Sequence, residues 1–294
     1  MKRVDHESSC AVLMVSIIAS FMENMVIKQS LIKSLGSGLR GLDPDFIGSV
    51  DIPVTRVPNG SRIRYISAIA MKLAAINSQS PAEIATLIVA NQADKMVDDG
   101  IITTVLPSGM IQFDITDFGV VKWLENIRLH GLPITANSPD NQSLDSGLFP
   151  VQYIHARCCS LLRMAHRDRL ISLVETEPIF TPFLWRLATP RDLPWLDDSG
   201  NLRLVHDAEK MLIGELIDGV DFWHYPPRKI DDKKVAMKIT EQCDRFLRQC
   251  PIWGEVKLHH PQLSQARLGL IIVTQSILRF ALQEKLGIIA PMEL

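Results

Sequence analysis

The chain has 294 residues, enough for two ordinary domains or one large domain. Hydrophobic residues make up 47% of it and charged residues 22%, which excludes a disordered chain and indicates a globular protein with a core. The formal net charge is -2, and both halves of the chain carry nearly equal numbers of basic and acidic side chains. This balance excludes a basic domain that grips nucleic acid by bulk charge.

An apolar run at residues 10–22 follows a short basic start. Asp5 and Glu7 interrupt the positive region that a signal peptide requires, and the run is shorter than the roughly 20 residues of a membrane-spanning helix. We therefore expect a buried or amphipathic helix over 9–35 that ends at the glycines just beyond it. The chain is then expected to be cytoplasmic, with its five cysteines reduced.

The next patterns predict three helices and a hairpin. Residues 63–76 carry apolar side chains at helical spacing. Ser80, with proline next to it and Glu83 three positions later, has the signature of a capping box that begins a helix. Within residues 101–115, Ile111, Phe113 and Ile115 alternate with polar residues after a proline–serine–glycine turn, which predicts a β-hairpin. A short helix over 118–129 follows.

The chain is predicted to divide at residues 131–147, a polar stretch without hydrophobic periodicity that is typical of a linker. Residues 1–130 are predicted to form a small α+β domain. Residues 148–294 show only helical patterns, of which the first covers 151–176 and the last, 262–286, is apolar nearly all round, as in a helix buried between others. The predicted fold class is an α+β N-terminal domain followed by an all-α helical bundle.

The first helix of the predicted bundle contains a histidine and two adjacent cysteines. A helical wheel places Cys158 among the apolar side chains of its core face, where a thiol behaves as a small hydrophobe. Adjacent cysteines on a helix do not chelate a metal, so no metal site is expected. His155 lies beside the core face, and we expect it to hydrogen-bond to backbone or to a neighbouring helix rather than to act in catalysis.

Four arginines and one aspartate lie between residues 157 and 169. On the wheel, Tyr153 and Arg157 share a flank, and Arg163 and Arg167 lie opposite the core. Two interpretations stay open. The cluster is either a solvated helix face or a patch that contacts phosphates, with Tyr153 available to stack on a base.

Three separated stretches of the second half follow a known pattern. Residues 149–165 (FPVQYIHARCCSLLRMA) closely resemble the start of the C-terminal DALR anticodon-binding domain of arginyl-tRNA synthetases. Residues 241–255 (EQCDRFLRQCPIWGE) are similar to its middle segment, and residues 265–294 to its closing helix and terminal Leu-Gly-Ile-x-Ala-Pro. The resemblance covers residues 148–294 and implies a helical anticodon-binding bundle.

The first half is similar to the additional N-terminal domain of the same family, which contacts the corner of tRNA. The family's Phe-Gly-Asp-Tyr helix, Pro-x-x-Ile-Ala helix and glycine-turn strand have counterparts in order within residues 62–115. Where the family has Phe-Gly-Asp before Tyr65, this chain has Arg62, Ile63 and Arg64. The inherited contact with the tRNA corner is therefore not implied, and Arg62 and Arg64 would meet phosphate in a different way.

In the synthetases a catalytic core lies between these two domains, with a His-x-Gly-His signature and a Lys-Met-Ser-Lys loop. Neither signature occurs in this sequence, and residues 128–148 occupy the place of the core. Such a short connector cannot bind ATP and activate an amino acid. We therefore expect a protein that lacks the catalytic core, is not an enzyme and needs no cofactor.

Two functions remain. The first is a non-catalytic paralogue that binds tRNA or another RNA weakly. Its candidate RNA-binding residues are Tyr153, Arg157, Arg163, Arg167, Arg62 and Arg64. The alternative is a protein-interaction or assembly module, such as a homodimer, that reuses the accessory domains without RNA binding. Neither function involves a membrane.

Overall fold

A computed structural model describes residues 25–40, 51–58, 62–75, 79–92, 95–134, 147–174, 186–225 and 231–294. A small antiparallel sheet with helices occupies the N-terminal part, and the C-terminal part is predominantly helical. The predicted fold class is therefore confirmed. Most of the predicted linker, residues 135–146, lies outside the described residues.

The N-terminal part forms one four-stranded antiparallel sheet in the order β1-β2-β4-β3. Its elements are α1 (Ile27–Arg40), β1 (Thr55–Arg56), β2 (Arg64–Ser67), α2 (Ile69–Ala74), α3 (Pro81–Ala90), α4 (Lys95–Asp98), β3 (Ile101–Val105), β4 (Ile111–Ile115) and α5 (Asp117–His130).

Two of the local predictions are confirmed. Strands β3 and β4 pair as a hairpin, with Phe113 opposite Thr103, and the inward side chains of β4 are fully buried. At the start of α3, the Ser80 hydroxyl accepts from the Glu83 backbone while the Glu83 carboxylate accepts from the Ser80 backbone. Both structures follow from short-range patterns that need no distant partner.

The prediction of a helix over 63–76 is wrong in its first half. Residues Arg64–Ser67 form strand β2, which pairs with β4 so that Tyr65 lies opposite Phe113. The helix α2 begins only at Ile69. Burial alternates along β2, and the ladder with β4 satisfies its backbone groups, so the tertiary pairing overrides the local helical pattern.

The predicted end of the first helix is also wrong. Helix α1 continues through Gly36 and Gly38 as far as Arg40. A Cβ atom at position 38 would lie 2.4 Å from the carbonyl oxygen of Ile88 on α3. Glycine is therefore required because the two helices approach closely there, and it does not act as a stop signal. Residues 9–24 of the predicted helix lie outside the described residues.

The C-terminal part is built from helices around a central one. Its elements are α6 (Phe149–Arg167), β5 (Ser172–Leu173), β6 (Leu187–Thr189), α7 (Asp207–His224), α8 (Asp232–Gln249), α9 (Glu255–His259) and α10 (Pro261–Phe280), followed by a π-helical turn at Ala281–Lys285. The helical bundle is as predicted, but its first helix ends at Arg167 and not at residue 176, and the short β5–β6 pairing was not predicted. Arg169 adopts a left-handed conformation, the chain leaves the helix, and β5 pairs with β6.

Helix α10 is buried along most of its length, as its sequence predicts. It packs against α6, α7 and α8 and also against α5 of the N-terminal part. Buried residues of both parts belong to one continuous hydrophobic cluster. The side chain of Trp195 closes one end of this contact, where its indole nitrogen donates to Glu125 on α5 and its ring covers Gly269 on α10.

Polar contacts also join the sheet to helix α7. The guanidinium of Arg56 on β1 donates to both carboxylate oxygens of Asp218. One turn further on, Asp221 accepts from the Tyr65 hydroxyl at 2.6 Å and from the Lys28 backbone nitrogen at 3.1 Å. Burial raises the pKa of Asp221 from 3.8 to about 7, although both hydrogen bonds favour its ionised form.

The raised pKa of Asp221 makes folding stability depend on pH. Between pH 3.8 and 7 the folded state holds a proton that the unfolded state releases, so this group stabilises the fold less as pH rises. Relative to Asp221→Asn, the wild type should lose about 1.4 kcal/mol of unfolding free energy per pH unit between pH 5 and 7. Urea denaturation at several pH values measures this difference, and parallel pH profiles of the two proteins would contradict it.

Candidate nucleic-acid interface

Helix α6 places one face in the core and the opposite face in solvent. Val151, Ile154, Cys158 and Leu162 are buried and pack toward α8 and α10, as the helical wheel predicts. The helix begins with proline in its first turn, a position where the missing N–H carries no penalty. Its outward face is thereby held by a buried framework and does not depend on a loop.

His155 is part of that framework. Its Nδ1–H donates to the Pro291 carbonyl at 2.8 Å, so Nε2 accepts from the Gln275 side-chain amide at 2.9 Å. Burial lowers the pKa of His155 to about 4, which keeps the imidazole neutral. The prediction of a histidine bonded to backbone or to a neighbouring helix is confirmed, and the structure shows both contacts. Its contacts tie α6 to α10 and to the C-terminal residues.

Cys158 is fully buried, as predicted, with its Sγ 3.9 Å from Sγ of Cys243 on α8. The hydrogen bond with Cys243, together with burial, raises the pKa of the Cys158 thiol, so it is a poor nucleophile. Sequence reasoning missed the pair because the two cysteines are 85 positions apart. Within the described ranges, no group of three or more His, Cys, Asp or Glu side chains is arranged to hold a metal.

The solvent face of α6 begins with two aromatic rings. Phe149 and Tyr153 are stacked, with ring centroids 6.1 Å apart, and their exposed fractions are 46% and 44%. Sequence reasoning singled out Tyr153 and missed Phe149, although their spacing of four residues was the available signal. Exposed stacked rings on a rigid helix offer a surface onto which a further flat ring can stack.

The arginines on this face differ in their partners. Arg157 lies 3.5 Å from the Asp244 carboxylate on α8, and Arg248 forms an ion pair with the same carboxylate. Two cations therefore share one anion. Sequence reasoning missed Arg248, which lies on another helix and carries no local signal.

Arg163 and Arg167 lie further along the same helix. Arg163 donates to the Met292 carbonyl at 3.0 Å and lies 3.3 Å from the carboxylate of Glu293, which is 81% exposed. Arg167 is exposed, and its guanidinium forms no hydrogen bond or ion pair with any residue that the structure describes. The positive charge of this face is therefore partly neutralised near Arg163 and free at Arg167.

Arg62 and Arg64 belong to the sheet. Arg64 on β2 lies 2.6 Å from the Asp114 carboxylate on β4. Arg62 is exposed just before β2 and borders a cavity of about 240 Å³ together with Lys210 of α7. None of these contacts involves α6, so the six candidate residues fall into two separate groups.

The fold is an α+β unit joined to a helical bundle. About half of the chain is similar to arginine–tRNA ligases, which makes it arginyl-tRNA synthetase-like over that length. It is 31% identical over 153 residues to the ligase of Pelodictyon phaeoclathratiforme, which is 51% of this chain and 23% of that protein. The ligase of Gloeobacter violaceus is 28% identical over 144 residues, which is 47% of this chain and 21% of that protein.

The ligase of Chlorobium luteolum is 31% identical over 153 residues, 51% of this chain and 23% of that protein. The chain thus covers less than a quarter of the length of each of these relatives. No family model matches the chain, and no solved structure matches it. Within the described residues, no helix is both long and apolar enough to cross a membrane.

The buried neutral His155 should make the protein less stable in acid. Its pKa is lowered from 6.5 to about 4, so between these values the unfolded state binds a proton that the folded state excludes. Relative to His155→Gln, the wild type should lose about 1.4 kcal/mol of unfolding free energy for each pH unit below 6.5. Urea midpoints at pH 5, 6 and 7 measure this, and equal slopes for both proteins would refute it.

Proposed function

We propose that the chain binds RNA, with tRNA the first candidate, through the solvent face of α6. The observation that carries the proposal is the exposed, stacked pair Phe149–Tyr153 on the same helix face as Arg157, Arg163 and Arg167. Aromatic rings next to arginines are the side chains that hold unpaired bases and their phosphates. The similarity to proteins named arginine–tRNA ligase supports RNA as the ligand.

The aromatic pair supplies most of the expected affinity. A base stacked on an aromatic side chain contributes about 1–3 kcal/mol. The rings of Phe149 and Tyr153 are already aligned with each other, at an interplanar angle of 27°. Little side-chain entropy is then lost when a base adds to the stack. Single-stranded or looped RNA is therefore favoured over duplex, whose bases are not free to stack on protein.

The arginines supply the electrostatic part. Arg167 is unpaired within the described residues, and Arg157 with Arg248 leaves one positive charge beyond that of Asp244. A site with so few free cations neutralises few phosphates. Binding is then weak and only moderately sensitive to salt, in agreement with a chain of net charge -2.

The chain is further proposed to act without aminoacylation. Its sequence contains neither a His-x-Gly-His nor a Lys-Met-Ser-Lys motif. The sheet packs directly against α7 through Arg56 and Tyr65, and α5 packs against α10, so the two parts bury surface against each other. This direct packing supports an arrangement in which no catalytic core lies between them.

A protein partner is the second candidate ligand for the same face. The observation that favours it is the carboxylate of Asp244, which with Glu293 interrupts the line of arginines next to the exposed rings of Phe149 and Tyr153. An aromatic patch with paired charges around it is typical of a protein interface. A second copy of the chain is one such partner, and light scattering reports it directly.

Removing the aromatic pair should weaken RNA binding. For the double variant Phe149→Ala/Tyr153→Ala we expect about a 10-fold rise in Kd for unfractionated tRNA at low salt, because stacking on both rings is lost. Fluorescence anisotropy measures it. The matched control is Phe118→Ala, which removes an exposed ring from α5 and should leave the Kd unchanged.

Arg167→Ala should also weaken binding and lower its salt dependence, whereas Arg191→Ala, an exposed arginine outside α6, should do neither. An absence of binding at protein concentrations of tens of micromolar, about the weakest non-specific affinities, would refute the RNA proposal. Binding that is equal in the aromatic variant and the wild type would refute α6 as the site.

The proposal that the chain is not catalytic predicts an outcome of its own. The purified protein should not support arginine-dependent exchange of pyrophosphate into ATP, because its sequence contains neither the His-x-Gly-His nor the Lys-Met-Ser-Lys motif. A full-length arginyl-tRNA synthetase serves as the positive control under the same conditions. Exchange above background that tracks the protein through its last purification step would overturn this part of the proposal, whatever the RNA measurements give.

A further inference from the structure

A cavity of about 430 Å³ lies where the sheet meets helices α7 and α8. Strands β1 and β2 form one wall, the start of α1 contributes Lys28, and the two helices form the other walls. Its volume is within the range of sites that hold small molecules, and such sites often lie at the junction between two parts of a protein.

Part of the charge in this cavity is already used by the fold. Arg56 pairs with Asp218, and Asp221 accepts from Tyr65. These contacts hold the sheet on α7. The charged groups of Arg56, Asp218 and Asp221 therefore already have partners within the fold and are not available to a ligand.

Three other charged groups in the cavity form no such hydrogen bond or close ion pair, although the charge of Lys238 acts on the Glu215 carboxylate and lowers its pKa. Glu215 on α7 is half-buried, and its carboxylate accepts no hydrogen bond from the described residues. Burial is the main cause that raises its pKa. Lys234 and Lys238 project from α8 one turn apart, and their ammonium groups likewise form no hydrogen bond or ion pair with a described residue.

An aromatic ring borders the same space. Tyr225 is exposed at the end of α7, and the ammonium group of Lys28 lies 5.9 Å from its ring centroid. The cavity lining is otherwise largely apolar, with Val54, Val235 and Phe222 between the charged groups. A ligand here would thus meet two ammonium groups and one carboxylate that form no hydrogen bond with the described residues, and a ring.

We propose that this cavity binds a small phosphorylated compound that carries a flat ring and a hydrogen-bond donor, of which a nucleoside monophosphate is the simplest example. Lys234 and Lys238 hold the phosphate, and the Glu215 carboxylate accepts from a ribose hydroxyl or an exocyclic amine. The ring packs against Tyr225 and the apolar lining. Each of these three charged groups, which forms no hydrogen bond with a described residue, thereby gains one.

Other ligand classes leave some of these groups without a partner. A metal ion would be repelled by Lys234 and Lys238, and a simple cation would use only Glu215. Inorganic phosphate would use only the lysines and leave the half-buried Glu215 carboxylate unsatisfied next to a second anion. A ring compound with both a phosphate and a donor fits all three sets of groups at once.

The test is a calorimetric titration of the full chain with AMP, adenosine and inorganic phosphate. AMP should bind most tightly. The double variant Lys234→Ala/Lys238→Ala should weaken AMP binding at least about 10-fold and leave adenosine binding unchanged, because only AMP presents a phosphate. Glu215→Gln should weaken both AMP and adenosine. Lys233→Ala, a neighbouring exposed lysine that does not line the cavity, is the matched control and should bind AMP normally.

The inference would be overturned by no binding of AMP to the wild type, by equal binding of AMP by the wild type and the double lysine variant, or by equal affinity for AMP and inorganic phosphate. All substituted side chains are at least partly exposed, so the variants should fold, and thermal melts check this. The Phe149→Ala/Tyr153→Ala variant should bind AMP like the wild type, since α6 does not line the cavity. Loss of AMP binding there would assign the nucleotide to α6 and also overturn the inference.

Discussion

The packing of the helices is determined by the need to bury helix α10. A helix that is apolar nearly all round must be covered on every side, and α5, α6, α7 and α8 each cover part of it. The ion pair between Arg267 of α10 and the fully buried Glu209 of α7, 2.6 Å apart, holds one of these contacts in a fixed geometry. Loss of either partner would leave a buried charge uncompensated, so the pair specifies how α7 lies on α10.

The positions of the α6 face and of the cavity both follow from the way the helices pack around α10. Helix α6 buries one face against α10 and so presents Phe149, Tyr153 and Arg167 outward from a rigid base. Helix α5 covers α10 from the N-terminal part. Contacts of Arg56 with Asp218 and of Tyr65 with Asp221 hold the sheet against α7, where the cavity next to Glu215 lies. The aromatic face and the cavity therefore depend on the same core, although they share no lining residue.

The sequence predicted what depends on near neighbours. The capping box at Ser80, the hairpin at Phe113 and the core face around Cys158 are local or periodic patterns, and the structure confirms them. Strand β2 was missed because Tyr65 is placed by its pairing with β4, some fifty residues away. The partners of the α6 arginines were missed for the same reason, since Asp244 and Glu293 reach them from distant parts of the chain.

On α6, the ion pairs of the arginines are weaker than the stacking that its aromatic rings offer. A partly exposed ion pair such as Arg157–Asp244 contributes about 0–1 kcal/mol, less than the roughly 1–3 kcal/mol of one base stacked on an aromatic ring. On the proposal that this face binds RNA, Asp244 and Glu293 lower its affinity for phosphate only modestly, because a phosphate can displace a carboxylate from an arginine that is held so weakly. The shared cations then attract duplex RNA poorly, whereas the exposed rings of Phe149 and Tyr153 still stack on unpaired bases. Looped RNA is therefore the form of the proposed ligand that fits both features of the face.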